Sequence, residues 1–536
     1  MFRFCTFASW FPLNKDYLKA DLIAGVTVAL LLIPQSMAYA ELAGLDAHYG
    51  LYAAFVPVLL GAMFGSLRQL GTGPVAMTSI LTASVLVKYI PDGNPENYAK
   101  VAFLLALIVG LIRIFIGCFR LAFVVNFLAN PVVQGFTNAG ALIIGLSQIN
   151  KIFALPMEVE TGFAAYMIAL TSMFMQLENL HIMTTLIGIV SIVVIMLVKK
   201  YKPRFPAMLV AVILASVFSY VLEFEAKGGS VVGEIPSGLP SIAVPWQFEV
   251  GSMDIFTLSL KLIPDAILIT MIGFMEVLAV SKAVSLKTNQ KLDFNHEMIG
   301  QGISAVGGSF FQSYPTSGSF SRTAMNLMCG AKTAMSSVFT SIIVVIVLLF
   351  FTGWLYYLPK ATLAAGIIVS ILSLINFKII YQTWKVSRLD GGIAIFTFVA
   401  TMLCAPDIIN GVIIGGSIAL VLYVVKKVKG SPLKVKDLKL VMKDKTLSIE
   451  LKGGLYFPQS PVLERLIQTK VKENNYAIER VVIDASQLNE LDSSAIFSFS
   501  TIRTFLASSN IVLEVKTEDR RIIEMIQRGG LGAVLA

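Results

Sequence analysis

Long apolar runs separated by short polar connections fill the chain as far as Lys429. Leu22–Ala40, Ala102–Cys118, Ile182–Val198, Ser337–Phe351 and Gly411–Val425 are each close to the ~20 residues that cross a hydrocarbon core. They predict a polytopic α-helical membrane protein of about fourteen spans, some short or broken. After Lys429 the pattern changes: alternating strands (Leu447–Leu451, Val481–Asp484, Ile511–Val515) intersperse with polar helical patterns (Pro461–Glu473, Asp519–Arg528). The predicted division is a transmembrane domain over 1–430 and a small α/β domain over 431–536.

Composition agrees with a bilayer as solvent. Hydrophobic residues are 56% and charged residues 14%, where a soluble chain carries roughly a quarter charged. The net charge of +9 suggests nucleic acid until its placement is considered. Lys199, Lys200, Lys202 and Arg204 share one connection, Lys282, Lys287 and Lys291 another, Lys378, Lys385 and Arg388 a third; Lys426, Lys427 and Lys429 follow the last span. Glu158 and Glu160, then Glu223, Glu225, Glu234 and Glu249, occupy intervening connections. This alternation is the positive-inside pattern, and it closes with an even number of spans and a cytoplasmic N-terminus. The α/β domain, following a lysine cluster, is expected in the cytoplasm. The N-terminus has an amphipathic stretch (Phe2–Tyr17) rather than a short apolar segment with a cleavage site, so secretion is not expected. Four scattered cysteines and three histidines without partners at ligand spacing indicate neither disulfides nor a metal.

A faint internal repeat organises the membrane part. Pro74, in the broken element Gly71–Thr78 (GTGPVAMT), follows Gln35 by 39 residues, and Ser317 follows Glu276 by 41. Asn130-Pro131 with Asn138–Ile144 echoes Leu358-Pro359 with Leu363–Ile368. Matched Gly/Pro-interrupted segments point to a transporter's binding site, and seven spans per half would invert the second half. At both breaks a helix starts at membrane depth with free N–H groups and a partial positive end. Two such ends, with Ser and Thr hydroxyls and Arg322 beside them, make an anion site. Glu276, a carboxylate on an apolar span, is costly there and reads as part of a substrate or proton pathway.

Ile33–Gly44 (IPQSMAYAELAG), Tyr49–Tyr52, Gly233–Pro240, Asn295–Gly302 (NHEMIGQG) and Ser317–Asn326 (SGSFSRTAMN) together resemble the sulfate permease (SulP) anion transporters. Val481–Ser486 and Leu491–Ile496 (LDSSAI) resemble the STAS domain, the sulfate-transporter and anti-sigma-factor-antagonist module. The resemblance covers nearly the whole chain. It implies core and gate domains built from a 7+7 inverted repeat, a homodimer, and elevator-like alternating access. It places anion binding on Gln35 and Tyr39 of the first helix, Thr72, Gly73, Val75 and Ala76 at the third, and Ser319, Phe320, Ser321 and Arg322 at the tenth. Glu276 matches an acidic position of proton-coupled sulfate carriers; the sodium-coupled bicarbonate branch prefers a shorter aspartate. Ser494 is the STAS phosphoacceptor position, but Ala495 replaces the glycine usual in the regulatory proteins.

Structural alternatives remain open at each site. Glu276 also reads as a buried acid paired with Arg322 or Lys282, and Arg322 as a cytoplasm-side or packing residue. Gln35 and Tyr39 also read as ties between helices, and Glu41 as an interfacial acid or a second proton site. Gly135 and Gly140 read as packing positions, and the STAS serines as a helix cap. The expected function is proton-coupled sulfate uptake across the plasma (inner) membrane, with H+ as co-ion, no enzyme activity, no cofactor and no nucleic-acid partner. The alternatives are sodium-coupled or exchange transport of bicarbonate, dicarboxylate or chloride, or a membrane-anchored STAS signalling protein. With no P-loop present, an ATP-driven pump is disfavoured.

Overall fold

The computed structural model describes residues 14–91, 93–155, 167–168, 171–172, 175–176, 180–203, 205–250, 254–288, 290, 292–372, 374–405, 407–429, 439–443, 445–474, 478–507 and 509–535. The expected boundary at 430/431 lies outside the described residues, as do Glu158, Glu160, Arg204 and Lys291.

The first half runs α1 (Lys15–Leu42), α2 (Ala47–Ala53), α3 (Val56–Phe64), strand β1 (Gly71–Gly73), α4 (Ala76–Tyr89), α5 (Pro95–Cys118), α6 (Asn130–Ser147), α7 (Ile149–Phe153), α8 (Ile182–Tyr201) and α9 (Ala207–Val221). The second runs α10 (Ile255–Thr288), α11 (Phe294–Phe310), β2 (Ser317–Ser319), α12 (Phe320–Met328), α13 (Met335–Phe350), α14 (Thr352–Leu355), α15 (Lys360–Ile371), α16 (Phe377–Val386), α17 (Arg388–Cys404) and α18 (Ile408–Lys429). Seven segments among the described residues are long and apolar enough to cross a bilayer, and four shorter apolar helices accompany them. The apolar runs read from sequence fall in helices, with only Phe351 just past the end of α13. The two predicted breaks are both a three-residue strand followed by a helix, so the repeat is visible in the order of elements.

The described chain divides into two compact units. The first is drawn from residues 1–125, 140–375 and 403–409, the second from 126–139, 376–402 and 410–536. Within the first, α1 packs on α13 and α5 lies along α11. Small residues let these backbones approach, as they do where lipid removes a hydrophobic drive for helix association. A Cβ on Gly110 would stand 2.8 Å from the Gly302 carbonyl oxygen, and one on Gly302 2.8 Å from that of Gly110. Buried carboxylates fasten loops to helices. Asp21 accepts from the backbone N–H groups of Lys332 (2.7 Å) and Thr333 (3.0 Å), and Asp265 on α10 accepts from Lys88 (3.2 Å) and Tyr89 (2.9 Å) of α4.

In the second unit, Gly135 of α6 meets α17 so closely that a Cβ would fall 2.2 Å from the Ala394 oxygen. The C-terminal fold is a mixed sheet of β3 (Lys439–Lys443), β4 (Thr446–Leu455), β5 (Arg480–Leu491) and β6 (Val512–Lys516), in that order. β3 runs antiparallel to β4, and the other pairs are parallel. Helices α19 (Ser460–Glu473), α20 (Ser493–Ala507) and α21 (Arg520–Arg528) complete it. Leu447, Ile449, Val481, Ile483, Leu513 and Val515 of the strands are buried, as are Ile467, Phe499 and Ile526 of the helices. The sequence reading missed β3, whose described side chains are exposed, because an edge strand with no buried face carries no alternation signal.

Gly302→Leu forces a side chain into the α5–α11 contact, where overpacking costs ~1–3 kcal/mol, and should lower the thermal midpoint of the purified protein in detergent. Gly140→Ala, where a Cβ meets nothing within 4 Å, should leave it unchanged. Equal midpoints for both variants would remove the close-approach argument.

Candidate functional site

The site is assembled around two short strands. β1 and β2 pair antiparallel, Gly71 opposite Ser319, Thr72 opposite Gly318 and Gly73 opposite Ser317. Extended backbone at membrane depth persists only where protein satisfies its polar groups, and here each half of the chain satisfies the other's. Proline has no N–H to continue a ladder, so Pro74 ends β1 and the chain turns into α4. β2 runs directly into α12. The two helix starts are therefore joined through the strand pair.

Their caps differ. Val75, at the N-cap of α4, supplies no side-chain bond, so the first-turn amides of Ala76 and its successors keep their donor capacity. At α12, Ser319 Oγ accepts the Arg322 N–H at 3.4 Å and lies 3.2 Å from Ser321 Oγ. Thr323 Oγ1 donates to the Ser319 oxygen (2.6 Å) and accepts from Gly71 N–H (2.9 Å), joining α12 to β1.

Arg322 is wholly buried. Its Nη1 donates to the Pro74 oxygen at 2.7 Å and to Gln35 Oε1 at 3.4 Å; Nη2 reaches the Gly71 oxygen at 3.5 Å. Its Nε has no hydrogen-bond partner among the described residues. Gln35 Nε2 then donates to the Tyr39 hydroxyl at 3.0 Å, one turn along α1. Arg322 is thus neither a surface cation nor a simple packing residue. It clasps β1 and α1 from α12.

The structure brings Gln35, Tyr39, Thr72, Gly73, Ser319 and Arg322 together, with Val75 and Ala76 buried at the α4 start. Phe320 and Ser321 lie on the exposed side of the α12 start, Phe320 being 65% exposed. Glu276 is half-buried on α10 and interacts electrostatically with Arg322, yet no ion pair joins them among the described residues. Its helix is fixed to β2 one turn earlier, where Ser317 Oγ donates to the Gly273 oxygen at 2.8 Å. Glu41, left open by the sequence, is paired with Lys151 at 2.8 Å.

Two supports went unassigned in the sequence. Gln301 Nε2 donates to Thr72 Oγ1 (2.9 Å) and to Glu297 Oε1 (3.1 Å), while Glu297 Oε2 accepts from Ser66 N–H (2.7 Å), Ser66 Oγ (2.9 Å) and Leu67 N–H (3.1 Å). This network holds the approach to β1 and takes up the Thr72 hydroxyl oxygen. The second support is Arg113, wholly buried in α5, whose Nη1 donates to the Thr316 oxygen at 2.8 Å just before β2. Its Nε and Nη2 have no hydrogen-bond partner among the described residues. The signal for it was present: a lone arginine inside the apolar run Ala102–Cys118 is the same anomaly as Glu276. Among the described residues no group of three or more His, Cys, Asp or Glu is placed to hold a metal.

What this arrangement offers is positive potential: two helix N-termini, two buried guanidinium groups and short hydroxyl side chains. The sequence profile of the sulfate permease family matches residues 18–397. The chain belongs to that family. A STAS domain profile matches residues 437–535. Similar proteins include sulfate transporter 4.1, chloroplastic, of Arabidopsis thaliana, 31% identical over 96% of this chain and 78% of its own length. The sodium-independent sulfate anion transporter of Bos taurus is 28% identical over 94% of this chain and 84% of its own length. Among solved structures, the murine Solute Carrier 26 family member A9 anion transporter, inward-facing, superposes with a TM-score of 0.74 at 24% identity, covering 99% of this chain and 90% of that one. As a member of the sulfate permease family the protein is a multi-pass membrane anion transporter, not an enzyme.

A Cβ on Gly71 would lie 2.7 Å from the Arg322 Cβ. Gly71→Ala should therefore push β1 off α12 and weaken anion binding, as measured by calorimetry. Arg322→Ala, which removes the 2.7 Å bond to the Pro74 carbonyl at ~1–3 kcal/mol, should lower thermal stability and anion affinity together. Full stability in Arg322→Ala would show that the clasp is not structural.

Proposed function

We propose that the protein takes up sulfate coupled to protons across the plasma membrane, the anion binding where the α4 and α12 N-termini converge. The observation that carries this reading is the β1–β2 pairing, which places both helix starts and Arg322 in one position with Glu276 within electrostatic reach. Main-chain N–H groups of Val75, Ala76, Phe320 and Ser321 serve as anion donors, with Ser319, Ser321 and Tyr39 as hydroxyl ligands and Gln35 orienting Tyr39. Thr72 and Gly73 shape the floor. Arg322 supplies full positive charge but spends its strongest hydrogen bond on Pro74, so its contribution to the anion is largely a field.

Glu276 is the coupling group. A dianion and an ionised carboxylate repel across a low-dielectric site, so the two travel together only when Glu276 carries a proton. Sulfate as cargo is supported by the names of the Arabidopsis and bovine relatives, and a co-ion other than sodium by the latter. Because α1, α4, α10 and α12 are tied to one another through the strand pair, Gln35 and Ser317, they move as one body against the remaining helices in an elevator-like cycle. The working assembly is a homodimer, with the transport domain over 1–430 and the STAS domain over 431–536 on the cytoplasmic side with the N-terminus.

Counterflow of labelled sulfate, bicarbonate and fumarate in proteoliposomes tests the cargo: sulfate should exchange fastest, and bicarbonate alone exchanging would replace it. Glu276→Gln, which mimics the protonated acid, should abolish uptake driven by an inward proton gradient while retaining sulfate exchange. Gradient-driven accumulation at the wild-type level in that variant would reject the coupling role. Ser321→Trp, at an exposed position, should lower sulfate affinity by about tenfold or more, equivalent to ~1.4 kcal/mol, with the thermal midpoint kept. Unchanged affinity would move the site elsewhere.

A further inference from the structure

The C-terminal fold meets membrane-side segments of its own unit at the start of α20. The backbone N–H of Ser493 donates to Asp390 Oδ2 at 2.7 Å. Asp390 stands in the first turn of α17, is 7% exposed, and donates its own N–H to Ser387 Oγ at 3.3 Å. From within the C-terminal fold, Asp492 supplies a second carboxylate to the same helix start, accepting from Ala495 N–H at 2.8 Å and from Phe457 N–H at 2.6 Å. Two carboxylates therefore share one α20 N-terminus, one of them from the transport part of the chain.

The surroundings are those of a seated interface. Tyr423 of α18 lies with its ring 5.2 Å from that of Phe457, and its hydroxyl accepts from Gln459 Nε2 at 3.3 Å. A cavity of about 30 Å³, room for about one water, remains between Asp390, Tyr423, Asp492 and Ser494. The Ser493 hydroxyl is wholly buried with no hydrogen-bond partner among the described residues. A buried carboxylate is tolerated where it is hydrogen-bonded, and a helix N-terminus is where it is bonded best.

We propose that Asp390 is the docking ligand of the STAS fold: a carboxylate of the transport part seated on the α20 N-terminus, holding the C-terminal fold against α17 and α18. The partner of this STAS surface is then the chain itself. The face carrying Ser493 and Ser494 is occupied while the two are docked, so an added negative charge there competes with Asp390. This inference is independent of the cargo and its coupling.

Hydrogen–deuterium exchange on the full chain in detergent tests it over residues 491–497. Asp390→Ala should speed exchange there by about tenfold or more, Asp390→Asn by less because an acceptor oxygen is kept, and β5 residues 481–485 should exchange as in the wild type. Ser494→Asp, which crowds a third carboxylate onto the same helix start, should give the same local rise, and it decides the matter if Asp390→Ala does not fold. Unchanged exchange over 491–497 in the folded variants would overturn the proposal. So would an equal rise across 481–485, which would report unfolding of the STAS fold rather than release of its docked face.

Discussion

The Arg322 guanidinium is the group on which the central architecture depends. Breaking a helix at membrane depth strands carbonyls that lipid cannot satisfy. In β1 the problem is sharpest at Pro74, where the ladder stops and the carbonyl oxygen has no strand partner. Arg322 meets it from the other half of the protein at 2.7 Å, and with its other contacts brings α1 into the same bond set. A buried guanidinium is itself expensive, and each side of the exchange removes the other's penalty. The break and the arginine are therefore two parts of one solution.

Around that clasp, precision comes from atoms that are absent. Gly71 lets Arg322 pass where a Cβ would collide, and Gly73, at φ +138°, turns the chain in a region that side chains rarely adopt. The second layer is polar. Glu297 and Gln301 fix the loop before β1, and Arg113 fixes the loop before β2. Glu297 and Arg113 act on backbone groups, and Gln301 on the Thr72 hydroxyl.

Most of the architecture was legible because its signals are local. Apolar runs mark helices, glycine and proline mark the two breaks, and a change from long apolar runs to alternation marks the C-terminal fold. Gln35, Tyr39, Thr72, Gly73, Ser319 and Arg322, singled out along the chain, lie close together, whereas Phe320 and Ser321 face outward. What was not legible is pairwise. Nothing along the chain says that Arg322 spends itself on Pro74, that Gln301 holds Thr72, that Glu41 meets Lys151, or that Asp390 reaches Ser493, because each bond joins positions far apart in sequence. Arg113 was legible in principle and passed over, hidden by the hydrophobicity of its neighbours.

The strand pair also has a consequence for biosynthesis. Gly71 and Arg322 are 251 residues apart. At ~5–20 residues per second, β1 waits on the order of tens of seconds before its partner strand and arginine are made. Throughout that interval the first half is inserted with a stretch of open backbone that the bilayer cannot solvate. Residues 71–74 must meanwhile be sheltered by water, by the insertion machinery or by a temporary fold. The second half of the chain is thus the last component of its own first half, and a lesion near Arg322 would be felt as failure of the nascent N-terminal helices to mature.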